Sequence, residues 1–290
     1  MTLTIQDLVL HAADLAKDRG APEIDLITLQ HLAQGIFGIQ DVDWIQQKRQ
    51  APESPALTQE FEHGVKRLLD GMPLAYILGD AWFRGRQYTV SPAVLIPRPE
   101  TELLAEACIE RISALPKPED WLYLECGAGS GVLSIELALA FPDLRFNAWE
   151  LSPEAALVCQ ENIDRHHIRN ISLFTGDFFE GARAFLDQHP AGPVFIYSNP
   201  PYIESQVIET LDRSVTEFEP KLALDGGLDG LSCYRGLFEL FQPYRGVLAC
   251  EFGYNQRAAL ETLAKEFALK DIQFYTDYAQ LDRYFIATRH

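Results

Sequence analysis

The chain has few cysteines, no obvious metal-binding pattern and no long apolar run. Its five cysteines are scattered, with no Cys-x-x-Cys pair, which predicts reduced core residues of a cytoplasmic protein. The seven histidines show no ligand spacing with them, so we expect no metal site. No run of about 18 apolar residues is present, and the N-terminus lacks a signal-peptide pattern, so we expect neither membrane association nor secretion.

Positive charge is also scarce. The 290 residues include 24 lysines and arginines against 42 acidic residues, a net charge of −18. Non-specific binding to nucleic acids requires basic side chains that neutralise phosphates, so we expect no direct contact with DNA or RNA. The acidity is interpreted first as a solubility feature and second as complementarity to a basic or neutral protein partner.

The hydrophobic content of 47% is sufficient for a large core and for about two domains. Apolar residues recur at helical spacing through residues 1–72, which predicts a small helical N-terminal domain, with Thr58 as the cap of its third helix. Aromatic and β-branched residues interrupted by glycine and proline predict a β-hairpin in residues 73–98 that bridges to the remainder.

Residues 99–290 alternate between strand and helix patterns. This alternation predicts an α/β domain with a mostly parallel sheet and helices on both faces. The predicted strands are 121–124, 146–150, 171–175, 194–198, 246–251, 272–275 and 284–288, and the predicted helices are 100–112, 132–140, 153–166, 231–241 and 256–267. The last two strands have no helix between them, so we expect a terminal hairpin that contributes one antiparallel strand.

The tetrapeptide Asn199-Pro200-Pro201-Tyr202 directly follows a predicted strand. Because neither proline has an N–H group, the chain must leave the sheet at Asn199. Ligands of open α/β sheets bind at such carboxyl ends of strands. The Asn199 side-chain oxygen and the Pro200 carbonyl can accept the N–H bonds of a planar amide or amine, and Tyr202 can cover its face. The alternative is a plain proline turn.

A glycine-rich loop separates the first predicted strand of the sheet from its helix. Gly127, Gly129 and Gly131 alternate with Ala128 and Ser130. Glycines allow a tight turn and a close approach to a ligand, and the following helix directs its free N–H groups at that place. Close packing of the helix on the strand could also explain them.

Residues at the strand ends complete a predicted cofactor site. Glu150 lies 19 residues after Gly131, where it could bind ribose hydroxyls or stabilise the next helix N-terminus. Asp177 could accept a hydrogen bond from the amino group of an adenine, Phe178 could pack on the adenine ring, and Glu125 could bind an ammonium group. A ligand with a ribose, an adenine and an ammonium group but no phosphate is S-adenosylmethionine.

Together these residues resemble the class I S-adenosylmethionine-dependent methyltransferases, and within them the glutamine-N5 methyltransferases of peptide chain release factors. The resemblance covers residues 73–290. The strings that carry it are Pro73-Leu-Ala-Tyr-Ile-Leu-Gly79, Ile96-Pro-Arg-Pro-Glu-Thr-Glu102, Gly127 to Gly131, Ser198-Asn-Pro-Pro-Tyr-Ile203, Phe218-Glu-Pro220, Ala223-Leu-Asp-Gly-Gly227, Asp277-Tyr278 and Asp282-Arg283. The chain departs from the family at Glu125 and Glu150, where aspartate is usual, and at Phe178, where tryptophan is common.

The resemblance implies a seven-stranded Rossmann-like methyltransferase sheet, with S-adenosylmethionine as the cofactor. It also implies methyl transfer to the side-chain amide of a glutamine in a Gly-Gly-Gln loop of a release factor. The N-terminal domain would recognise this release factor. In that family Asn199, Pro200 and Tyr202 would be catalytic. Pro201 and Glu219 would bind the substrate with them, and Asn199 would also contact the cofactor. Residues 97–102 would close over the cofactor, or else form a plain linker.

Three alternatives remain from the sequence. The substrate could be a glutamine of a ribosomal protein. It could be adenine N6 in DNA, because enzymes that flip out that base hold its amine with the same tetrapeptide, although the net charge of −18 opposes this. The chain could also bind S-adenosylmethionine without turnover, since both cofactor-binding acids differ from the usual residue.

Overall fold

The computed structural model describes residues 3–21, 23–189 and 192–290. Its chain forms two compact units, one of residues 1–80 with 213–218 and the other of residues 81–212 with 219–290. In the part of the chain so described, no helix combines the length and the apolar character needed to cross a lipid bilayer.

The first unit is helical. Its helices are α1 Ile5–Asp18, α2 Leu26–Phe37, α3 Trp44–Gln47, α4 Pro55–Leu69 and α5 Leu74–Leu78, with a 3-10 turn at Asp41–Asp43. The Ser54 side chain accepts from the Leu57 N–H and caps α4, and Pro55 takes the first helical position. The predicted cap at Thr58 is therefore wrong, because the helix starts one turn earlier. Leu29, Leu32 and Phe61 are fully buried in the core between α1, α2 and α4.

The second unit contains the sheet. From residue 80 onward the elements of the chain are β1 Asp80–Phe83, β2 Arg86–Thr89, α6 Pro99–Ser113, β3 Leu122–Cys126, α7 Val132–Ala140, β4 Phe146–Glu150, α8 Pro153–Arg165, β5 Ile171–Thr175, α9 Phe178–Asp187, β6 Val194–Ser198, α10 Ser205–Ile208, α11 Arg213–Thr216, α12 Ser232–Phe241, β7 Gly246–Glu251, α13 Arg257–Glu266, β8 Asp271–Thr276 and β9 Asp282–Arg289. Short 3-10 turns occur at Pro118–Asp120 and Lys221–Ala223, and α11 groups with the first unit.

Seven strands form one sheet in the order β5-β4-β3-β6-β7-β9-β8. All pairs from β5 to β7 are parallel, and β9 runs antiparallel to both of its neighbours. The predicted α/β class, the seven strands and the single antiparallel strand are thus confirmed. The strand order reverses between β3 and β6, which places the segments after these two strands side by side at a topological switch point.

Helices cover both faces of this sheet, as predicted. One core cluster packs α6, α7 and α8 against the sheet and includes Leu104, Ile135 and Cys159. The other packs α9, α12 and α13 and includes Phe238 and Leu260. The predicted helices do not include α9, because its first residue, Phe178, is interpreted from the sequence as part of the cofactor site.

The hairpin of β1 and β2 is held on α7 and α8 by polar contacts. Glu136 on α7 is buried and accepts hydrogen bonds from Arg86 Nη1 at 2.9 and 3.0 Å and from the Tyr88 hydroxyl at 2.7 Å. Arg84 Nε lies 3.3 Å from the same carboxylate. The Thr89 N–H donates to the Asn162 side chain on α8 at 2.7 Å. These contacts fix the hairpin on α7 and α8; its bridging role stays a prediction.

Candidate active site

A cavity of about 420 Å³ lies at the switch point of the sheet. The residues that follow β3, β4, β5 and β6 line it, together with the segment before α6 and the first turn of that helix. Its volume lies within the ~300–1,000 Å³ usual for ligand sites. A larger groove of about 820 Å³ runs along α13 and β8. The smaller cavity is the better candidate because it combines the switch point with buried carboxylates.

The glycine loop forms one wall of the cavity. Gly127 and Gly129 have φ angles of 73° and 56°, and a side chain built at either would meet no atom within 4 Å. Gly131 differs, because its Cβ would lie 2.8 Å from Cys159 Sγ on α8. The Gly127 N–H donates to the Trp149 carbonyl at 3.0 Å and ties the loop to β4. Gly127 and Gly129 therefore leave open space, and Gly131 allows α7 to begin close against α8; cofactor binding by this loop stays a prediction.

Glu150, at the end of β4, faces the same loop. Its carboxylate accepts from the Gly129 N–H at 2.8 Å and from the Ser152 N–H at 2.9 Å. Each oxygen uses one backbone donor and keeps capacity for a further one. The side chain can thus bind a ligand hydroxyl, and it also stabilises the loop that would hold this ligand.

Glu125, at the end of β3, lines the cavity although its side chain is almost wholly buried. It accepts a hydrogen bond from the Ser134 hydroxyl on α7, and that hydroxyl lies 2.7 Å from the Tyr197 hydroxyl. Burial raises the pKa of Glu125 to about 8, with an opposing contribution from the Ser134 hydrogen bond and a further increase from the charge of Glu150. A cationic ligand beside it would favour the ionised form.

The segment after β5 supplies a polar and an aromatic side chain. Asp177 is exposed and caps α9, where it accepts from the Glu180 N–H at 2.9 Å. Phe178 is buried and packs edge-on against Trp149, with ring centroids 5.6 Å apart. Both Phe178 and Trp149 line the cavity, which gives it an apolar wall suited to a flat ring.

Asn199 is partly buried and lines the same cavity as the glycine loop. Its Nδ2 donates to the Thr101 hydroxyl at 3.0 Å, and this hydroxyl donates to Glu251 Oε2 at 2.6 Å. The Tyr202 hydroxyl donates to the other oxygen of Glu251 at 3.2 Å. The buried carboxylate of Glu251 is therefore linked to two side chains of the tetrapeptide, to Tyr202 directly and to Asn199 through Thr101.

Neighbouring loops hold the tetrapeptide in place. The Ser198 hydroxyl donates to the Cys126 carbonyl at 2.7 Å and joins the ends of β6 and β3. Gln256 Nε2 donates to the Tyr202 carbonyl at 2.9 Å, and the Ile203 N–H donates to the Leu224 carbonyl at 3.0 Å. The chain thus leaves the sheet at Asn199 along a path fixed on both sides.

Arg98 and Glu219 form a partly buried ion pair beside the cavity. Arg98 Nη2 lies 2.5 Å from Glu219 Oε1, and Arg98 lines the cavity. The other oxygen of Glu219 is buried and has no hydrogen-bond partner among the described residues. Pro99 starts α6 directly after Arg98, so the segment 97–102 contributes both Arg98 and Thr101 to the site.

Most of the predicted site residues come together in one place. Those that line the cavity are Glu125, Gly127, Ala128, Gly129, Ser130, Glu150, Asp177, Phe178, Asn199 and Pro201. Within the described chain, the remaining four adjoin the lining instead: Gly131, Pro200, Tyr202 and Glu219. The sequence did not assign roles to Arg98, Thr101 and Glu251, although the string 97–102 was already a distinctive motif.

Comparison with known proteins identifies the family. A family model described as "Conserved hypothetical protein 95" matches residues 76–221. The release factor glutamine methyltransferase of Moorella thermoacetica is 37% identical over 81% of this chain and 82% of its own length. This chain belongs to the release factor glutamine methyltransferase family. The resemblance drawn from its sequence strings is confirmed.

Membership of the release factor glutamine methyltransferase family extends along the whole chain. The Caulobacter vibrioides member is 30% identical over 100% of this chain and 98% of its own length. The human METTL16 catalytic domain, solved in complex with the MAT2A 3′UTR hairpin 1, has a TM-score of 0.55 over 90% of this chain and 91% of that one. At 10% identity, this similarity shows a shared fold alone.

Proposed function

We propose that this protein transfers a methyl group from S-adenosylmethionine to the side-chain amide nitrogen, N5, of a glutamine in peptide chain release factors. The observation that carries the proposal is the position of Asn199, a carboxamide in the lining of the same cavity as the glycine loop. Family membership supports it. We further propose that residues 1–72 recognise the release factor, that residues 73–98 bridge to the residues 99–290 domain, and that the reaction occurs in the cytoplasm.

The residues that line the cavity fit this cofactor. When bound, S-adenosylmethionine supplies an electrophilic methyl group on a positively charged sulfur. The space beside Gly127 and Gly129 admits a ligand against bare backbone. Glu150 is assigned to the ribose hydroxyls, Glu125 to the ammonium group, and the wall of Trp149 and Phe178 to the adenine. Asp177 can accept a hydrogen bond from the adenine amino group.

Replacing Gly127 with alanine tests this assignment. Gly127 and Gly85 have φ angles of 73° and 74°, and a Cβ at either meets no atom within 4 Å, but only Gly127 lines the cavity. Both alanine variants therefore carry similar backbone strain. We expect Gly127→Ala to weaken S-adenosylhomocysteine binding by about tenfold, or about 1.4 kcal/mol, and Gly85→Ala to leave it unchanged. Equal affinities in titration calorimetry would contradict the assignment.

Glu125 makes cofactor binding dependent on pH. Because its pKa is raised to about 8, the carboxyl is mostly protonated at pH 7 in the free protein, whereas an ammonium ligand favours the carboxylate. S-adenosylhomocysteine should therefore release about one proton on binding at pH 7, and its affinity should rise as the pH rises towards 8. Calorimetry in buffers of different ionisation enthalpy measures this release. Glu125→Gln should abolish it, and an unchanged release in that variant would refute the role.

The acceptor side of the site must compensate for a poor nucleophile, because the lone pair of an amide nitrogen is delocalised into its carbonyl. Asn199 Oδ1 and the Pro200 carbonyl are assigned to the two amide hydrogens, and Tyr202 to the packing of the glutamine side chain. Alignment of reacting groups can contribute roughly 7–11 kcal/mol. The same two oxygens stabilise positive charge that develops on the nitrogen. Glu219 supports the substrate pocket through Arg98, which lines the cavity.

The direct test is methylation of a purified release factor, with mass-spectrometric location of the added methyl group. We expect one modified glutamine, in the Gly-Gly-Gln loop, and no incorporation when glutamate replaces it. Label transferred instead to a ribosomal protein or to DNA would replace the proposed substrate by one of the alternatives. Cofactor binding without any transfer would indicate a binding protein rather than an enzyme.

A further inference from the structure

We propose that Glu251, acting through Thr101, fixes which end of the Asn199 carboxamide faces the cavity, and so makes the site selective for an acceptor that donates N–H bonds. This inference rests on the proposed function, in which Asn199 binds the glutamine amide. Glu251 and Thr101 are positioning residues in it, since they act on the acceptor through Asn199.

The contacts form a continuous chain of hydrogen bonds. Asn199 Nδ2 lies 3.0 Å from Thr101 Oγ1, which lies 2.6 Å from Glu251 Oε2. Thr101 and Glu251 are only 2% and 1% exposed, so water has little access to compete for these bonds. Thr101 belongs to the first turn of α6 and Glu251 ends β7, so two rigid elements hold the chain.

The donor and acceptor in each of these hydrogen bonds follow from the number of hydrogens that each group can donate. A hydroxyl group has one hydrogen to donate, and an ionised carboxylate only accepts. Thr101 must therefore donate to Glu251, and it can only accept from Asn199. This requires the NH₂ end of Asn199 at Thr101 and leaves the oxygen for the cavity. The two ends of a carboxamide are nearly equal in size, so packing alone does not make this choice.

Without the negative charge, both directions become available. A neutral group at position 251 offers a donor as well as an acceptor, and Thr101 could then donate to the Asn199 oxygen. The NH₂ end of Asn199 would face the cavity and would oppose the N–H groups of a glutamine. Such a site would instead suit a group that accepts, such as the carboxylate of glutamate.

Glu251 also fixes the tyrosine of the tetrapeptide. The Tyr202 hydroxyl donates to the oxygen that Thr101 does not use, at 3.2 Å. The Tyr234 hydroxyl donates to the main-chain carbonyl of Glu251 at 2.7 Å and holds the end of β7. One carboxylate thus orients the two side chains proposed to contact the glutamine.

The surroundings of Glu251 give its charge a pH dependence. Burial raises its pKa to about 7; the hydrogen bonds from Thr101 and Tyr202 and the positive charge of Arg283 on β9 oppose this, and Glu100 on α6 adds to it. Since the ionised carboxylate of Glu251 sets the direction of the hydrogen bonds through Thr101 to Asn199, turnover should fall as the pH falls through about 7. Measurement at saturating cofactor separates this effect from the titration of Glu125.

The test compares kcat for release factor methylation in Glu251→Gln, Thr101→Val and Thr101→Ser at saturating cofactor and substrate. We expect Glu251→Gln and Thr101→Val each to lower kcat at least about tenfold, whereas Thr101→Ser, which keeps the hydroxyl, should stay within about threefold. The fall of kcat at low pH should disappear in Glu251→Gln. S-adenosylhomocysteine affinity should stay within about threefold in each variant, although Thr101 lines the cavity.

A second readout separates orientation from general structural support. A release factor with glutamate in place of the loop glutamine serves as an inhibitor. The wild type should prefer glutamine over glutamate, and this preference should decrease at least about tenfold in Glu251→Gln. Equal weakening for both ligands would overturn the proposal, because a loss of structure does not discriminate between them.

The outcomes also separate this proposal from the function on which it rests. Wild-type turnover in Glu251→Gln, with Asn199→Ala inactive, would refute the positioning role and leave the function intact. No methylation of release factors by the wild type would refute the function itself. Should Glu251→Gln fail to fold, the two Thr101 variants provide the test. Equal losses of kcat in Thr101→Ser and Thr101→Val would overturn the proposal, whereas a near-normal kcat in Thr101→Ser alone would support it.

Discussion

Asn199→Ala is expected to lower kcat for release factor methylation by about 10²–10³-fold. The carboxamide oxygen is assigned both to alignment of the acceptor nitrogen and to stabilisation of its developing charge, and loss of one such preorganised group commonly costs about 10²–10³ in rate. Alanine also leaves the Thr101 hydroxyl without its donor. Single-turnover methylation with saturating cofactor measures the effect on the chemical step.

Cofactor binding provides the internal control for this variant. The glycine loop, Glu150 and Glu125 remain intact, so S-adenosylhomocysteine affinity should stay within about threefold, although Asn199 lines the same cavity. Asn170→Ala is a matched substitution elsewhere in this unit. Asn170 is partly buried and donates to the carbonyls of Phe141 and Leu144 at 3.1 and 2.9 Å. It should reduce stability without reducing kcat; similar kcat losses in both variants would contradict the catalytic role of Asn199.

The sheet was predictable because each strand carries its own signal. Val194 to Ser198 is a mostly apolar run that is followed by Asn199 and two prolines, and the structure buries all five residues in β6. Such runs mark parallel strands covered on both faces. The predicted strand ends differ from those observed by at most two residues, since glycine, proline or a cap bounds most of them.

The missed helix α9 had a signal of its own. Asp177 precedes it, and Glu180 follows three positions later, a pattern typical of a helix start. The sequence interpretation gave Asp177 and Phe178 to an adenine instead. The two interpretations do not exclude each other, because Asp177 caps the helix and also lines the cavity; its contact with an adenine stays a prediction. A capping role and a ligand role can fall on one side chain.

The hydrogen-bond chain behind Asn199 was not predictable in the same way. Thr101 lies 98 positions before Asn199 and 150 positions before Glu251. A motif is visible in a sequence when its members are consecutive, as in the tetrapeptide and the glycine loop. Thr101 and Glu251 meet only because α6 packs at the carboxyl ends of β6 and β7. Their pairing therefore needed the tertiary structure, even though the string around Thr101 was already recognisable.

Glu136→Gln is expected to destabilise the second unit by about 2–3 kcal/mol. The carboxylate is 3% exposed and interacts with Arg84, Arg86 and Tyr88, and its loss leaves two arginines without a counter-charge. Breaking a buried ion pair costs about 3–5 kcal/mol. The arginines here are 26% and 43% exposed, so water compensates for part of this cost.

The thermal midpoint of Glu136→Gln should consequently fall by roughly 4–12 °C. The matched control is Glu239→Gln, which breaks the ion pair of Glu239 with Arg183. The side chains of Arg183 and Glu239 are 53% and 61% exposed. An exposed pair contributes about 0–1 kcal/mol, so this variant should melt close to the wild type. Neither Glu136 nor Glu239 lines the cavity, so cofactor affinity at room temperature should be unaffected by either change. Equal midpoints for the two variants would mean that the buried carboxylate does not hold the hairpin on α7.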